Sequence, residues 1–224
     1  MSDLFRVLEP EYMDTEEEAA EYDAMDHAVV NRKFAEDFLA SSRSGNDILD
    51  LGTGTALIPV ELCRLDSAVR VMASDAAVSM LELARYHVEA EGLRNRIQLH
   101  HGDAKQLGFA DEFFDAVISN SLIHHIPEPI TVLAEMARVT KSNGRIFVRD
   151  LARPHDQAEV ESLVEMYAGS ATTAAQQLFR QSLQAALSLA EIQNLVESLG
   201  FDRSTVTMTS DRHWTWSTIK KSPQ

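Results

Sequence analysis

The sequence has 224 residues, of which 45% are hydrophobic and 25% are charged, and its formal net charge is −15. This length and composition are typical of a globular protein with one α/β domain and a substantial core. The negative field repels nucleic acid and anionic membrane surfaces, and no apolar run approaches the roughly 20 residues of a membrane helix. We therefore predict neither nucleic acid nor a membrane as a partner.

The N-terminus and the cysteine content predict a cytoplasmic location. The N-terminal segment has no basic region followed by an apolar stretch, so no secretory signal is expected. Cys63 is the single cysteine, and no internal disulfide is possible. Both observations favour a reducing compartment.

Hydrophobic spacing predicts an alternation of helices and strands. A first helix covers Thr15–Ala40, and the Ser-Gly-Asn segment at 44–46 ends it. The elements predicted next are the strand Asp47–Leu51, the helix Leu57–Leu65, the strand Val69–Ser74, the helix Ala77–Glu91, the strands Ile97–His100 and Phe114–Ser119, the helix Pro129–Thr140, closed by Asn143-Gly144, and the strand Arg145–Asp150. This alternation predicts βαβ units in a doubly wound, mostly parallel sheet.

The remaining sequence predicts helices and a final hairpin. Helical spacing covers Pro154–Leu187, with a break at 169–170, and then Ser188–Leu199. Ser188 and Glu191 fit a capping box at the start of the last helix. The two strands predicted after it are Ser204–Thr209 and His213–Ile219. Because only a short turn separates them, we expect an antiparallel hairpin at the edge of the sheet.

The first strand runs into a glycine-containing turn, Asp50-Leu51-Gly52-Thr53-Gly54-Thr55-Ala56. Glycines permit a sharp turn and let a ligand approach the backbone closely. The N–H groups at the start of the next helix can bind an anionic group. The pattern departs from G-x-G-x-x-G, since the third glycine is missing. We predict that this turn holds part of a small-molecule cofactor.

Two aspartates follow the next two strands. Asp75 follows the strand at 69–74, where a carboxylate can accept hydrogen bonds from both hydroxyls of a ribose. Asp103 follows the third strand, where it can accept a hydrogen bond from an exocyclic amine such as that of adenine. Each also has a purely structural interpretation, as a helix N-cap for Asp75 and as an ordinary turn residue for Asp103.

The fourth strand ends in Ser119 and Asn120, and His124 and His125 follow shortly after. In doubly wound sheets, ligands bind outside the carboxyl ends of the strands. Four strand ends thus place glycine or polar residues at one edge of the sheet. Their agreement favours a cofactor site more strongly than any one of the motifs does.

Taken together, these residues resemble those of a class I S-adenosylmethionine-dependent methyltransferase. The family motif D/E-x-G-x-G-x-G matches Asp50, Gly52 and Gly54, with Ala56 in place of the last glycine. The segment at 114–125 is similar to F-D-x-V-x-x-x-x-x-L-H-H of methyltransferases that act on small molecules, including the ubiquinone and menaquinone C-methyltransferases.

The resemblance covers Asp47–Asp150 well, including Arg138–Gly144, which is similar to the family's R-x-L-K-P-G-G turn. It covers the C-terminal hairpin more loosely. It implies an α/β fold with a Rossmann-like, mostly parallel seven-stranded sheet, a C-terminal antiparallel hairpin and a helical cap. The predicted parts of this single domain are a helical cap at 1–45, a cofactor-binding core at 46–152, a helical lid at 153–187, and a last helix with the edge hairpin at 188–224.

The resemblance also implies the cofactor S-adenosylmethionine, with S-adenosylhomocysteine as the product. Asp75 resembles the family's ribose-binding acid and Asp103 its adenine-contacting acid, while the glycine turn faces the amino-acid end of the cofactor. The predicted cofactor-binding residues are Tyr22, Asp50, Gly52, Thr53, Gly54, Asp75, Ala76, Met80, Asp103, Ala104, Asn120 and Leu122.

The implied reaction is an in-line methyl transfer to a small molecule, and a general base is needed only if the acceptor arrives protonated. His125 is the predicted base, with His124 as the second choice. No metal site is predicted, because adjacent histidines in a strand, as expected for 100–101 and 124–125, point to opposite faces. The methyl acceptor and the oligomeric state are left open.

Three alternatives share parts of this pattern. A protein that binds S-adenosylmethionine without transferring methyl would keep the same strand-end residues. An enzyme that uses a modified sulfonium, such as carboxy-S-adenosylmethionine, would need a cation near the methyl position, and Arg149 or Arg153 is the candidate. A nicotinamide oxidoreductase would share the glycine turn and Asp75. The candidates for lining an acceptor pocket are Tyr12, Tyr22, His27, Arg149, Arg153, Tyr167 and Trp214.

Overall fold

The structure is a computed structural model that describes residues 4–9, 15–23, 28–41 and 45–222, except for the side chains of Glu18 and Tyr22. Its α-helices are α1 (Glu16–Asp23), α2 (Ala28–Ala40), α3 (Leu57–Leu65), α4 (Val78–Ala90), α5 (Pro129–Val139), α6 (Gln157–Ala168), α7 (Thr173–Ala185) and α8 (Leu189–Ser198). Its strands are β1 (Asp47–Leu51), β2 (Arg70–Asp75), β3 (Ile97–His101), β4 (Phe114–Asn120), β5 (Thr140–Leu151), β6 (Val206–Met208) and β7 (His213–Ile219).

The seven strands form one sheet in the order β3-β2-β1-β4-β5-β7-β6. β1 pairs in parallel with β2 and β4, and β2 pairs in parallel with β3, whereas β6 and β7 are antiparallel. Leu51 lies opposite Ser74 on one side and Ser119 on the other, so the carboxyl ends of these strands share one edge. The predicted α/β fold, with its mostly parallel sheet and edge hairpin, is confirmed.

The chain divides into two compact units. The glycine-turn unit comprises 12–120, 131–147 and 218–224, and the histidine-turn unit comprises 1–11, 121–130 and 148–217. In the glycine-turn unit, Phe34 and Phe38 of α2 lie edge-on against Phe147, with ring centroids 5.2 and 5.8 Å apart. All three rings are buried, and burying such a side chain stabilises the unit by about 1.5–3 kcal/mol.

The histidine-turn unit has its own apolar core, in which α6 packs against α7. The buried side chains of this core are Leu151, Val160, Leu163, Val164, Leu183 and Ala186. On α6, residues 160, 163 and 164 recur at helical spacing and therefore face the same side. The helical stretch predicted at 154–187, with its break at 169–170, is thus two helices that bury facing stripes.

The capping box predicted at the start of the last helix is confirmed. Ser188 is the N-cap of α8, and the reciprocal bonds with Glu191 complete the predicted capping box. Gly92 and Gly200, just after α4 and α8, adopt the left-handed conformation with φ of 67° and 83°.

Other boundaries differ from the prediction. β5 begins at Thr140, because the Asn143 N–H donates to the Lys220 carbonyl (2.7 Å) and the Lys220 N–H donates to the Gly144 carbonyl (2.9 Å). Asn143-Gly144 therefore belongs to a paired strand instead of closing a helix. The helix predicted over Thr15–Ala40 is described as α1 and α2, while 24–27 and Ser44 lie outside the described residues. β6 is shorter than predicted, since 203–205 form a 3-10 turn.

In the ranges that the structure describes, no helix combines the length and the apolar character needed to cross a membrane.

Candidate cofactor site and histidine turn

The turn after β1 is attached to β2 through its backbone. The N–H groups of Gly52 and Thr53 both donate to the Ser74 carbonyl, at 2.9 and 3.1 Å. Gly52 and Gly54 have φ of 68° and 54°, which only glycine adopts without a steric cost. The two glycines therefore allow the chain to reverse direction at the carboxyl edge of the sheet.

Ala56 occupies the position of the family's third glycine and keeps the glycine-like backbone. Its φ is 60°, and it lies directly before α3 with its side chain fully buried. The Ala56 carbonyl accepts the first helical hydrogen bond of α3, from the Val60 N–H at 3.1 Å. The substitution thus leaves the path of the turn intact at the cost of a left-handed alanine.

The buried Asp50 side chain contacts the glycine turn. Its carboxylate is 2% exposed and accepts a hydrogen bond of 2.6 Å from the Thr53 hydroxyl. Burial raises the pKa of Asp50 to about 7, and the nearby Asp75 carboxylate adds to this rise. The described contact of Asp50 is therefore with the turn itself, which places it as a support for the backbone that would face a ligand.

Asp75 joins the ends of two strands. One carboxylate oxygen accepts the Gly54 N–H at 2.8 Å, and the other accepts the Ala77 N–H at 2.9 Å. Burial raises the pKa of Asp75, and these backbone bonds oppose the rise. Each oxygen has a second lone pair, so the two backbone bonds orient the carboxylate and leave acceptor capacity for two hydroxyls. The ribose role of Asp75 stays a prediction.

The third strand end lies beside the second. The Gly102 N–H donates to the Asp75 carbonyl at 3.0 Å. Asp103 is exposed, and its carboxylate accepts the Lys105 N–H at 2.9 Å, as expected for a turn aspartate. Ala104 is half-buried next to it. This geometry leaves Asp103 accessible to a ligand, and its adenine role stays a prediction.

Four further residues of the predicted cofactor site have a described environment. Ala76 is half-buried, and its carbonyl accepts from His101 Nε2 at 3.0 Å. Met80 is buried in a small cluster with Ala19 of α1 and Ala77. Asn120, the last residue of β4, and Leu122, two residues further on, are both half-buried. The residues on which the structure is silent are Tyr12 and His27, which lie outside the described residues, and Tyr22, of which only the backbone is described.

His124 and His125 lie in a 3-10 turn, Ile123–His125, which we call the histidine turn. Their ring centroids are 4.2 Å apart and the rings are tilted by 34°. The expectation that these two side chains point to opposite faces is therefore wrong, because it assumed a strand. The turn follows Ser121, whose left-handed φ of 58° ends the extended backbone.

Asp150 at the end of β5 organises the histidine turn. Its carboxylate is fully buried and accepts the N–H groups of Ile123 (2.5 Å) and His124 (3.2 Å) as well as His124 Nδ1 (2.5 Å). Burial raises the pKa of Asp150, but the imidazole of His124 outweighs it and holds the pKa below its usual range. Burial lowers the pKa of His124, yet the carboxylates of Asp150 and Glu9 prevail and raise it.

Glu9 approaches both histidines from the N-terminal segment. Its Oε1 lies 3.3 Å from His124 Nε2 and 3.2 Å from His125 Nδ1, and burial raises the pKa of Glu9. Arg6 fixes the same segment by donating to the carbonyls of His124 (3.2 Å) and Ile126 (2.9 Å).

The sequence analysis did not identify Glu9 or Arg6, because no local pattern marks this irregular segment. The one feature of the sequence that pointed to this cluster was Asp150, a charged residue at the end of a predicted apolar strand.

The remaining pocket candidates have structural partners within the histidine-turn unit. Arg153 donates to the Glu191 carboxylate at 2.6 Å, and Arg149 Nε donates to the Thr215 hydroxyl at 3.0 Å. The Tyr167 hydroxyl donates to Asp211 at 2.5 Å. Trp214 is fully buried, so its expected place in an acceptor pocket is not supported.

Comparison with known proteins finds a matching family for the central part of the chain. Residues 49–148 match the family described as Methyltransferase domain. A phosphatidylethanolamine N-methyltransferase from Cereibacter sphaeroides is 38% identical over 46% of this chain and 50% of that protein. A ubiquinone/menaquinone biosynthesis C-methyltransferase from Francisella philomiragia subsp. philomiragia is 29% identical over 61% of this chain and 57% of that protein.

A solved structure extends the likeness over most of the fold. A SAM-dependent methyltransferase from Aquifex aeolicus superimposes with a TM-score of 0.67, covering 92% of this chain and 98% of that one at 16% identity. The chain spans about half the length of the curated relatives it matches. Residues 49–148 thus match the methyltransferase domain family, and the predicted resemblance of the chain to the class I S-adenosylmethionine-dependent methyltransferases is confirmed.

Proposed function

We propose that this protein is an S-adenosylmethionine-dependent methyltransferase that transfers a methyl group to a small-molecule acceptor. The observation that carries the proposal is the hydrogen-bonded edge formed by three strand ends. Gly54 after β1 donates to the Asp75 carboxylate, and Gly102 after β3 donates to the Asp75 carbonyl. The family match over 49–148 covers all of these residues.

The donor groups at this edge fit the cofactor in its expected order. The glycine turn offers backbone close to the amino-acid end, the oriented Asp75 carboxylate offers acceptors to the ribose hydroxyls, and the exposed Asp103 carboxylate offers an acceptor to the adenine amine. When bound, the cofactor would supply an electrophilic methyl group on sulfur. The protein's own contribution is to hold the cofactor and the acceptor in line and to exclude water.

A small-molecule acceptor is supported by the names of the relatives, which concern a phospholipid headgroup and a quinone. One is an N-methyltransferase and the other a C-methyltransferase, so the shared domain serves more than one acceptor atom. We also propose a cytoplasmic location, which suits the single and buried Cys63 thiol.

The adenine assignment has a matched control in the same unit. Asp103 and Asp66 are both turn aspartates whose carboxylate accepts the N–H two residues ahead, at 2.9 and 2.8 Å. Asp66 precedes β2, at the opposite edge of the sheet. We expect Asp103→Ala to weaken S-adenosylhomocysteine binding roughly tenfold in calorimetry, the loss of one hydrogen bond to a carboxylate, and Asp66→Ala to leave it unchanged. Equal affinities for both variants would remove Asp103 from the site.

Transfer itself is tested by product analysis. The protein is incubated with S-adenosylmethionine carrying a labelled methyl group and with a metabolite extract, and labelled small molecules are identified. Label in a small molecule supports the proposal. Tight binding of S-adenosylmethionine with no labelled product in any extract would instead favour a protein that binds the cofactor without transferring methyl.

A further inference from the structure

Three side chains of the histidine-turn unit that are of types able to bind a metal ion lie close together. They are Glu9 from the N-terminal segment and His124 and His125 from the histidine turn, and one ligand atom of each lies within 4.8 Å of the other two. The side chains of Glu9 and His124 are 8% and 4% exposed, and that of His125 is 17% exposed. Two imidazoles and one carboxylate form a common ligand set for zinc and related divalent ions.

The distances between the three side chains are compatible with a metal ion that they share. Glu9 Oε1 lies 3.3 Å from His124 Nε2 and 3.2 Å from His125 Nδ1. Charge-assisted N–H···O bonds are usually about 2.7–2.9 Å long, and the His124–Asp150 contact in the same cluster is shorter still, at 2.5 Å. Ligands at about 2.0–2.1 Å from a tetrahedral ion lie about 3.3–3.4 Å from each other. Both Glu9 distances are close to that tetrahedral edge.

Asp150 prepares His124 for this role. It binds His124 Nδ1, which leaves Nε2 directed at Glu9. Histidines that ligate metals commonly donate their other ring N–H to a carboxylate, which fixes the tautomer and the ring orientation. The Asp150 carboxylate is itself held by the Leu151 N–H at 2.6 Å and the Ile123 N–H at 2.5 Å. Two backbone N–H groups therefore help to fix the orientation of the Asp150 carboxylate.

The local charge also favours a cation. Two carboxylates, Glu9 and Asp150, lie within this buried cluster, and Arg6 is the positively charged side chain that approaches it. The Arg6 guanidinium donates to the carbonyls of His124, Ile126 and Ala185, which directs its charge toward the backbone. A divalent ion bound to the two imidazoles would place positive charge beside both carboxylates.

We propose that Glu9, His124 and His125 bind one divalent transition-metal ion of the zinc type. Three protein ligands leave at least one coordination position for water or for an oxygen atom of a bound small molecule. The proposal does not depend on the methyltransferase function, because metal binding is measured in the absence of any methyl donor. A ligating His125 cannot also serve as the general base, so metal binding by this residue would remove the base assignment.

The test uses Co²⁺ as the probe, because its visible absorption reports coordination. The full chain is titrated with Co²⁺, and Zn²⁺ is then added in competition. We expect one equivalent to bind with the intense absorption of a four- or five-coordinate site, and Zn²⁺ to displace it. Replacing a mere orienting residue costs about 10–100-fold in metal affinity, so Glu9→Gln and His125→Ala, which remove ligands, are expected to cost roughly 100-fold or more.

His87→Ala is the matched control. His87 pairs with Asp23 at 2.8 Å, a histidine–carboxylate contact outside the proposed site, and its loss is expected to leave Co²⁺ binding unchanged. Glu9→Gln keeps the size of the side chain, so its thermal unfolding is expected to match the unsubstituted protein even if His125→Ala is less stable. The proposal is overturned if the protein binds no stoichiometric Co²⁺, if binding survives both ligand substitutions, or if His87→Ala abolishes it.

Discussion

Ala56 retains a backbone conformation that its side chain disfavours. At φ 60°, an L-residue has its Cβ close to the following carbonyl oxygen, which costs about 1–2 kcal/mol. This strained residue is the N-cap of α3, where the glycine turn leads into the helix. The family motif has glycine at this position, and the geometry explains that preference.

Ala56→Gly is expected to change the free energy of unfolding by no more than about 1 kcal/mol. Relief of the left-handed strain offsets the loss of a buried methyl group, about 0.8 kcal/mol, and the greater freedom of the unfolded chain, about 0.4–1 kcal/mol. Ala84 is also fully buried but lies inside α4, where there is no strain to relieve. Ala84→Gly is expected to cost about 2 kcal/mol. Urea unfolding compares the two, and equal losses would contradict the strain argument.

Asp50 makes the stability of the protein depend on pH. Burial raises its pKa from 3.8 to about 7, so the folded protein binds the proton more tightly than the unfolded chain. The contribution of Asp50 to stability is therefore complete below pH 3.8 and is lost as the pH rises through about 7. The loss is at most about 4 kcal/mol, given 1.36 kcal/mol for each pKa unit.

Asp50→Asn isolates this effect, because asparagine keeps an acceptor for the Thr53 hydroxyl. The free energy of unfolding of the original protein, minus that of the variant, is expected to fall between about pH 4 and pH 7 and to level off above. Denaturant unfolding at a series of pH values measures this difference. A difference that stays constant over that range would show that Asp50 titrates normally.

Among the elements, the start of α8 was predicted from a local sequence motif alone, the capping box of Ser188 and Glu191. The Ser188 hydroxyl accepts the Glu191 N–H at 3.3 Å, and the Glu191 carboxylate accepts the Ser188 N–H at 2.7 Å. Ser188→Ala is expected to lower the free energy of unfolding by about 1 kcal/mol, as for other N-caps. Ser198 lies at the exposed end of the same helix, and Ser198→Ala is expected to stay within about 0.5 kcal/mol. Thermal unfolding distinguishes the two, and an equal effect would argue against the capping box.

The strand ends of the cofactor site were predictable because βαβ topology brings them to one edge. Asp75 and Asp103 needed no knowledge of distant contacts, since each follows a parallel strand. The start of β5 was missed because it depends on pairing with Lys220, far along the chain. The contact of Glu9 with the histidine turn was missed for a similar reason. The N-terminal segment is held by backbone bonds to His155 and Gln184, which leave no periodic pattern in the sequence.

At the scale of the whole molecule, the net charge of −15 acts on any charged ligand. S-adenosylmethionine carries a positive sulfonium that S-adenosylhomocysteine lacks, while the two share the adenosine and amino-acid groups. A negative protein field attracts the methyl donor more than the demethylated product. Salt screens this attraction, because the Debye length falls from about 30 Å at 0.01 M to about 10 Å at 0.1 M ionic strength.

We therefore expect the affinity for S-adenosylmethionine to fall more steeply with sodium chloride concentration than the affinity for S-adenosylhomocysteine. Calorimetric titrations of both compounds at low and moderate salt measure the two slopes, and the product serves as the matched control because it occupies the same groups. A steeper fall in affinity for S-adenosylmethionine would indicate that the negative charge of the protein favours binding of the methyl donor over binding of the product. Parallel slopes would mean that the sulfonium is screened from the protein field, with close contacts alone deciding the preference.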